Sequence, residues 1–201
     1  MAKKAEIGQG AEPARGGRRA DAQRNLDALL RAGVEVFAES GVDAPMREIA
    51  ARAGVGVGTL YRHFPQRSDL IKAIIQREVD ACASHAAALA ARHDPEQALA
   101  AWMQKLVDLA ATKRGLGPAL HSGDAAYQAL PDYVLGQLTP ALESLLQAAA
   151  AAGAIRDDVD PREFLLATLR LAAPASEGNT AEARRMVALL CDGLRSGARG
   201  N

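Results

Sequence analysis

Polar side chains between residues 58 and 63 carry groups suited to the recognition of a nucleic acid. The Tyr61 phenol and the His63 imidazole can each donate a hydrogen bond to a phosphate oxygen. Thr59 offers a hydroxyl and a methyl group to a base edge or a phosphate, and Gly58 lets the backbone approach a groove closely. Arg62 can reach a guanine or a phosphate or remain solvated, and Tyr61 can instead pack half-buried against a neighbouring helix.

Two short helices joined by a tight turn must position these side chains. Pro45 suits the first helical position, Gly54 can turn the chain with a positive φ, and Pro65 ends the second helix. The apolar positions repeat at helical spacing and predict an inward face: Ile49, Ala50, Ala53, Leu60 and Phe64. This is a helix-turn-helix pattern, which offers its second helix to the major groove of DNA.

Two arginines flank this pattern and extend the candidate DNA-binding set. Arg47 lies near the start of the first short helix, where it can contact a phosphate or form a surface salt bridge. Arg67 follows the second short helix and brings another cation to the same end of the chain.

The same stretch resembles the TetR family of transcription regulators. The matching segments are Leu26–Gly41, Met46–Ala50, Gly58–Pro65 and Arg67–Ile71, roughly a quarter of the chain. The resemblance implies that Tyr61 and His63 are a phosphate-contacting pair, and it implies a ligand pocket and a dimer. Arg67 stands where the family more often has lysine, and Met46 stands where a small hydroxyl residue often caps the helix.

The composition predicts an all-α fold of about nine helices. Hydrophobic residues make up 49% of the 201 residues and aromatic residues only 3%, with abundant alanine. We expect a disordered basic arm over 1–20, a DNA-binding head over 21–67, and a ligand-binding and dimerisation body over 68–201. The predicted helices after the head cover 68–92, 95–112, 118–128, 131–152, 161–173 and 180–196, and the first helix covers 21–39.

The charge distribution agrees with a protein that touches DNA at one end. The net charge is zero, but residues 1–67 hold 11 Lys and Arg against 8 Asp and Glu, whereas residues 68–201 hold 13 against 16. The arm and the head taken together are therefore basic, and the body is acidic. The arginines at the end of the arm, Arg15, Arg18 and Arg19, either reach a minor groove or are simply solvated.

The cysteines and the hydropathy pattern predict a cytoplasmic protein. Cys82 and Cys191 are isolated and are expected to be free thiols in a reducing compartment. No apolar run approaches the roughly 18 residues of a membrane span, and no signal segment follows Lys3 and Lys4. Cys82 and His85 share a helix face, but no further ligand accompanies them, so we expect no metal and no cofactor.

The family resemblance implies an effector pocket in the body, between the fourth and seventh helices. The candidates are the larger side chains of that region: Trp102, Met103, Leu106, Leu120, His121, Tyr127 and Tyr133. Trp102 and Met103 on a helical stripe can equally be plain core. His121, beside a Gly-Pro break, is the better polar anchor. Without a charged cluster, we expect a small and mostly apolar ligand.

The last two apolar stripes are the predicted dimer interface. They comprise Phe164, Leu165, Thr168, Leu169, Met186, Val187, Leu190 and Leu194. Reading a near-palindromic duplex requires two heads related by a two-fold axis. The alternative is that both stripes are buried within one subunit.

The sequence holds no set of residues typical of an enzyme. His121, Ser122 and Asp124 are close in sequence, but a catalytic triad is defined by geometry rather than adjacency. The favoured interpretation is a homodimeric DNA-binding regulator that a ligand releases from its operator. The alternatives are a helical small-molecule binding protein without DNA binding and an activator on the same scaffold.

Overall fold

The computed structural model describes residues 15–112, 115–172 and 180–197. These residues form helices and turns, which confirms the all-α prediction. In chain order the helices are α1 (Arg15–Ser40), α2 (Met46–Ala53), α3 (Val57–His63), α4 (Arg67–Ala90), α5 (Pro95–Thr112), α6 (Gly117–Leu120), α7 (Leu130–Ala151), α8 (Pro161–Ala172) and α9 (Thr180–Gly193). Two short 3-10 turns cover Ala125–Tyr127 and Leu194–Gly197. Among the described helices, none is long and apolar enough to cross a membrane.

Helices α1, α2 and α3 form the head around a small core. Phe37 of α1, Ile49 of α2 and Leu60 of α3 are fully buried, so each helix contributes a large side chain to the same interior. Helix α1 begins at Arg15, and the predicted irregular arm is therefore wrong for residues 15–20. Arg18, Arg19 and Ala20 have high helix propensity, and the helix continues toward the N-terminus through Gly16 and Gly17, which have low propensity. Residues 1–14 of the predicted arm lie outside the described residues.

Helix α4 crosses α1 at a glycine. A Cβ built on Gly33 would lie 2.8 Å from Cδ1 of Ile74, which is closer than carbon atoms can approach without movement. The missing side chain therefore lets α4 pack directly onto the head. The Arg77 guanidinium also bonds the Asp27 carboxylate across 2.8 Å, which joins the same two helices nearby.

Helix α5 lies in the middle of the body and contacts α4, α7, α8 and α9. Its side chains Trp102, Met103 and Leu106 are fully buried. The indole of Trp102 donates to the carbonyl oxygen of Cys82. The core of the body is thus organised around one strongly apolar helix.

The predicted helix over 118–128 is wrong, because two short elements replace it. Helix α6 ends at Leu120, and Gly123 adopts φ +78°, which a helix cannot continue through. The carboxylate of Asp124 then accepts from the Ala126 amide at 2.9 Å and starts the 3-10 turn.

The N-termini of α2 and α4 also differ from the prediction by one or two residues. Pro45 is the N-cap of α2 rather than its first helical residue. At α4 the N-cap is Gln66, and the Asp69 carboxylate accepts from its amide at 3.1 Å. The predicted start at residue 68 therefore lies inside the first turn of the helix.

A tight contact joins the segment after α5 to the end of α1. Gly115 has φ +78°, and a Cβ there would lie 1.8 Å from the carbonyl oxygen of Phe37. No other residue type fits this backbone conformation and this space. The body therefore touches the head at the last turns of α1 as well as through α4.

Candidate nucleic-acid interface

The corner between α2 and α3 is built by hydrogen bonds that close the end of α2. Gly54 has φ 69° in the left-handed region, and its amide donates to the Ala51 carbonyl at 3.1 Å. The amide of Val55 donates to the Ala50 carbonyl at 3.0 Å. This arrangement satisfies carbonyls at the helix end and turns the chain sharply into α3.

Helix α3 is held from one side and leaves its other side open. Leu60 is fully buried and Phe64 is 5% exposed, so both anchor the helix from below. Tyr61 is 49% exposed, although an aromatic ring of this size is usually more buried. Thr59 and His63 are half-buried, and the His63 ring lies 6.2 Å from the Phe64 ring. The structure thus brings the predicted polar side chains to one helix, with the Tyr61 phenol in solvent.

Arg62 is exposed but bends back along its own helix. Its Nε donates to the Gly58 carbonyl at 3.1 Å, and its Nη2 donates to the Thr59 hydroxyl oxygen at 3.1 Å. The guanidinium thereby orients the Thr59 hydroxyl. The sequence suggested that Arg62 contacts a guanine or a phosphate, or that it is solvated. It did not suggest this local role.

Gly58 has no neighbour that requires a glycine. A Cβ built on it meets nothing within 4 Å, and the residue is exposed. Packing within the protomer would accept alanine here. A glycine at this position therefore fits a surface that another molecule approaches closely.

Arg47 is exposed on the first turn of α2, next to a buried Met46. Met46 is 6% exposed and fills the core of the head, so it takes a packing role where a hydroxyl cap was considered. The α2 N-cap residue, Pro45, makes no side-chain cap hydrogen bond. The backbone at this helix end is consequently held by packing and not by a side-chain cap.

The Arg67 side chain contacts the loop that leads into α2. Its Nη1 donates to the carbonyl oxygens of Val42 and of Ala44, the second across 2.6 Å. The side chain is half-buried. These two bonds use Nη1 alone, so Nε and Nη2 keep their donors, and the contact between Arg67 and a phosphate stays a prediction.

An ion pair that the sequence analysis missed fastens α2 to α1. Arg52 Nη1 bonds the Glu39 carboxylate at 2.7 Å and lies 3.9 Å from the Glu35 carboxylate. This hydrogen bond lowers the pKa of Glu39 below its ordinary value and raises that of Arg52. The two acidic residues lie one turn apart on α1, which was the available signal.

Among the described residues, the effector candidates lie in different environments. Trp102, Met103 and Leu106 are core residues with no exposed surface. His121 is exposed on the loop after α6, with its Nδ1 2.8 Å from the Gly117 carbonyl oxygen. Leu120 is half-buried beside it. The proposed polar anchor and the proposed apolar wall therefore lie in different environments.

The two tyrosine candidates face helix α4. Tyr127 is 9% exposed, and its burial raises the pKa of the phenol. The half-buried Tyr133 donates from its hydroxyl to the Asp80 carboxylate at 2.6 Å, and this bond raises its pKa. Both phenols therefore already serve contacts within the protomer.

Three surface grooves lie on the described part of the protein, and none is lined by the seven effector candidates. The first, about 350 Å³, lies between α1 and α4. The second, about 360 Å³, lies beside the end of α7, and the third, about 180 Å³, between α4 and α5. The third is lined by Cys82 and His85, but among the described residues no three His, Cys, Asp or Glu side chains form a metal-binding group.

Most of the predicted dimer residues are buried within one protomer, so the predicted surface needs correction. Five of them are buried: Phe164, Leu165, Thr168, Val187 and Leu194. They are buried because helix α8 packs against α5 and α7, and helix α9 packs against α5. Leu169 and Leu190 are half-buried, and only Met186 is exposed. The apolar surface available to a partner is formed by Leu171, Met186 and Leu189, which are 42%, 38% and 62% exposed.

The fold and this corner define a helix-turn-helix protein with a helical body. Residues 29–74 match the family described as bacterial regulatory proteins, tetR family. Residues 94–196 match the C-terminal domain of SbtR-like transcriptional regulators. The chain belongs to the TetR family of transcriptional regulators.

Known relatives agree with this assignment. A TetR transcriptional regulator from Streptomyces coelicolor is 39% identical, with a TM-score of 0.71 over 85% of this chain and 98% of that one. A TetR regulatory protein from Mycobacterium vanbaalenii is 37% identical, with a TM-score of 0.68 over 89% and 99%. An HTH-type transcriptional regulator of Staphylococcus aureus is 41% identical over 68 residues, 33% of this chain. The match spans 37% of the length of that curated relative.

A more distant structure shares the fold alone. FadR from Bacillus subtilis, solved in complex with stearoyl-CoA, is 19% identical, with a TM-score of 0.65 over 85% of this chain and 98% of that one.

Proposed function

We propose that the protein is a sequence-specific DNA-binding repressor that acts in the cytoplasm as a homodimer and that a ligand releases from its operator. Residues 21–67 would form the DNA-binding head and 68–201 the body. The observation that carries the proposal is the exposed phenol of Tyr61 on α3, above the buried anchors Leu60 and Phe64. A solvent-facing tyrosine on the second helix of a helix-turn-helix is well placed to donate to a phosphate.

The DNA-contacting set follows from the exposed side of the head. Tyr61 and His63 donate to phosphates, and Arg47 contacts the backbone from the start of α2. Gly58 permits close approach, and Thr59, held by Arg62, faces the base edges. Arg67 belongs to the set through its Nε and Nη2 donors, because its bonds to the loop before α2 use Nη1 alone.

A homodimer supplies the second head that a near-palindrome requires. The exposed apolar residues Leu171, Met186 and Leu189 on α8 and α9 support this arrangement, because a two-fold partner would cover the same residues on both copies. The two heads would then read half-sites about 34–36 Å apart.

A small, mostly apolar effector would bind the body near α6 and α7. FadR, which has the same fold, is known with a bound acyl-CoA, and this supports a ligand in the body. The candidates with accessible surface here are Leu120, His121 and Tyr133. Trp102, Met103 and Leu106 would contact a ligand only after repacking. The ligand would prefer the state with the wrong head spacing and so lower the occupancy of the operator.

The direct test uses a duplex selected from a random double-stranded pool with the purified protein. Its affinity should fall steeply as salt rises, because each neutralised phosphate contributes about 0.9 to the slope of log K against log salt. Tyr61→Phe should weaken binding about tenfold with unchanged thermal stability. The matched control Tyr133→Phe, which removes a phenol from the body, should bind the duplex like the wild type.

Two results would overturn the proposal. If no selected duplex binds with a salt-dependent affinity, the chain is a helical small-molecule binding protein. If Tyr61→Phe and Tyr133→Phe bind equally well, Tyr61 does not contact DNA. Reporter transcription from the selected duplex separates repression from activation. Native mass spectrometry of the purified dimer identifies a ligand that remains bound.

A further inference from the structure

We propose that Thr59 and Arg62 act together as one hydrogen-bond donor unit that selects a guanine in the operator half-site. The inference rests on the proposed DNA-binding function and deepens it, because it assigns a base to one pair of side chains on α3. Its basis is a pair of bonds made by Arg62. Nη2 donates to the Thr59 hydroxyl oxygen at 3.1 Å, and Nε donates to the Gly58 carbonyl oxygen at 3.1 Å.

The bond from Arg62 turns the Thr59 hydroxyl into a donor toward its surroundings. A threonine hydroxyl has one hydrogen and two acceptor lone pairs, whereas a guanidinium has donors only. Arg62 occupies one lone pair, and Thr59 makes no other side-chain hydrogen bond with the described residues, so its hydroxyl hydrogen is free for the duplex. The second lone pair attracts an amino group poorly, because the amino hydrogens would lie beside a cation.

Arg62 keeps further donors at the same place. A guanidinium has five N–H groups, and the two bonds within α3 use one on Nε and one on Nη2, which leaves three. No carboxylate of the described residues forms an ion pair with Arg62, so its charge is not neutralised within the protomer. The free guanidinium donors and the free hydroxyl hydrogen therefore belong to two side chains in direct contact.

The backbone of α3 fixes the position of this pair. The Thr59 amide donates to the Gly56 carbonyl at 2.9 Å, and the next residue, Leu60, is fully buried. Residues three apart are neighbours on a helix surface, so Thr59 and Arg62 stay within reach of each other without support from another element. A Cβ on Gly58 would meet nothing within 4 Å, so this side of the helix is open to a duplex.

Guanine is the base that matches two neighbouring donors. Its major-groove edge carries two acceptors, N7 and O6, whereas adenine and cytosine each carry an amino group there and thymine carries a single acceptor. A hydroxyl and a guanidinium side by side therefore fit guanine best. An amino group facing the same pair would set donors against donors and leave them without acceptors, which is costly once water is excluded.

The test uses four duplexes that differ only at one base pair of the selected sequence. This is the pair whose base frequencies change when the selection is repeated with Thr59→Val, which keeps the shape of the side chain and removes the hydroxyl. The wild type should bind the guanine duplex at least about tenfold more tightly than the duplex with cytosine in its place, a typical discrimination at one position. Thr59→Val and Arg62→Met should each reduce this ratio below about threefold. The double variant should reduce it no further, because the two side chains act as a unit.

The controls separate a lost base contact from a general loss of binding. Thr59→Ser keeps the hydroxyl and should keep the preference for guanine, and Arg47→Gln should weaken binding to all four duplexes alike. Thermal unfolding should give every variant a midpoint close to that of the wild type, because the changes lie on the open side of α3.

Three results would overturn the proposal. If Arg62→Met loses the preference and Thr59→Val keeps it, Arg62 reads the guanine alone. If adenine or cytosine is preferred, or if no base position responds to Thr59→Val, the pair does not act as a donor unit. If the wild type binds no duplex with a salt-dependent affinity, the proposed function itself fails and this inference fails with it; a wild type that binds without the preference refutes the inference alone.

Discussion

The indole Nε1–H of Trp102 donates a hydrogen bond to the carbonyl oxygen of Cys82 across 2.9 Å, and this bond joins α5 to α4 inside the body. Trp102 is fully buried, so the bond is shielded from water. The bond connects α4, which packs against α1 of the head, to α5, which contacts α7, α8 and α9. The stability of the body therefore depends on a residue first considered as an effector contact.

Replacing Trp102 by phenylalanine should destabilise the protein by about 1–3 kcal/mol, because the donor is lost and a cavity remains. Urea unfolding followed by circular dichroism measures this, since the chain has a single tryptophan and the variant loses its fluorescence. Met103→Leu is the control, with nearly the same volume, and should cost less than about 1.5 kcal/mol. Equal effects of the two substitutions would contradict the role given to the indole.

Alanine at position 115 should be much more harmful than alanine at position 153. Both glycines have a positive φ, +78° and +68°, so both substitutions carry backbone strain of about 1–2 kcal/mol. Only at Gly115 would the new Cβ collide with the Phe37 carbonyl oxygen. Thermal unfolding should show a clearly lower midpoint for Gly115→Ala than for Gly153→Ala. Similar midpoints would mean that Gly115 is not in close contact with the Phe37 carbonyl oxygen of α1.

A lysine in place of Leu189 should shift the protein to monomers. Leu189 is 62% exposed in the protomer, and a charge there would be buried without a partner in a dimer that covers it. Sedimentation velocity at several concentrations measures the assembly. Val57→Lys, at another exposed apolar residue but on α3, should remain dimeric. A Leu189→Lys protein that is still dimeric would place the interface elsewhere.

The thiol of Cys82 should make the fold sensitive to alkali. Burial raises its pKa from 9.0 to about 12, so above pH 9 the unfolded chain loses this proton while the folded chain keeps it. Stability should then fall as pH rises from 9 toward 12, by at most about 1.4 kcal/mol per pH unit for this group. Urea titrations at pH 8.5 and 10.5 should show a smaller fall in Cys82→Ala than in the wild type. An equal fall in both would assign the alkaline effect to other groups.

The sequence alone predicted the head better than the body. The motif around Tyr61 and His63 specifies a short helix whose inward anchors, Leu60 and Phe64, are separated by one turn, and local spacing of this kind is set by helix geometry. The direction of Arg67 was missed because its acceptors lie more than 20 residues earlier in the chain. The local sequence does not determine the conformation of a long, flexible side chain, because its hydrogen-bond partners are brought close only by the tertiary structure.

Helices α8 and α9 show a different reason for failure. The regular apolar stripe of each helix is largely buried in the protomer. Leu171 lies seven residues after Phe164 and Leu189 lies three after Met186, so both belong to the edge of a stripe, and both are exposed. Spacing alone does not show which edge of a stripe faces the protomer and which faces solvent. The effector candidates stay a prediction, since residue size and type do not distinguish a filled core from a cavity wall.

Helix α4 runs without interruption for 24 residues, from Arg67 beside the head to Ala90 in the body. At 1.5 Å per residue its length is roughly 36 Å, so a tilt of about 5° at one end moves the other by roughly 3 Å. That displacement is comparable to the 3.4 Å rise of one nucleotide along a DNA strand. In the proposed dimer, a tilt of this size would displace the head by nearly the rise of one base pair.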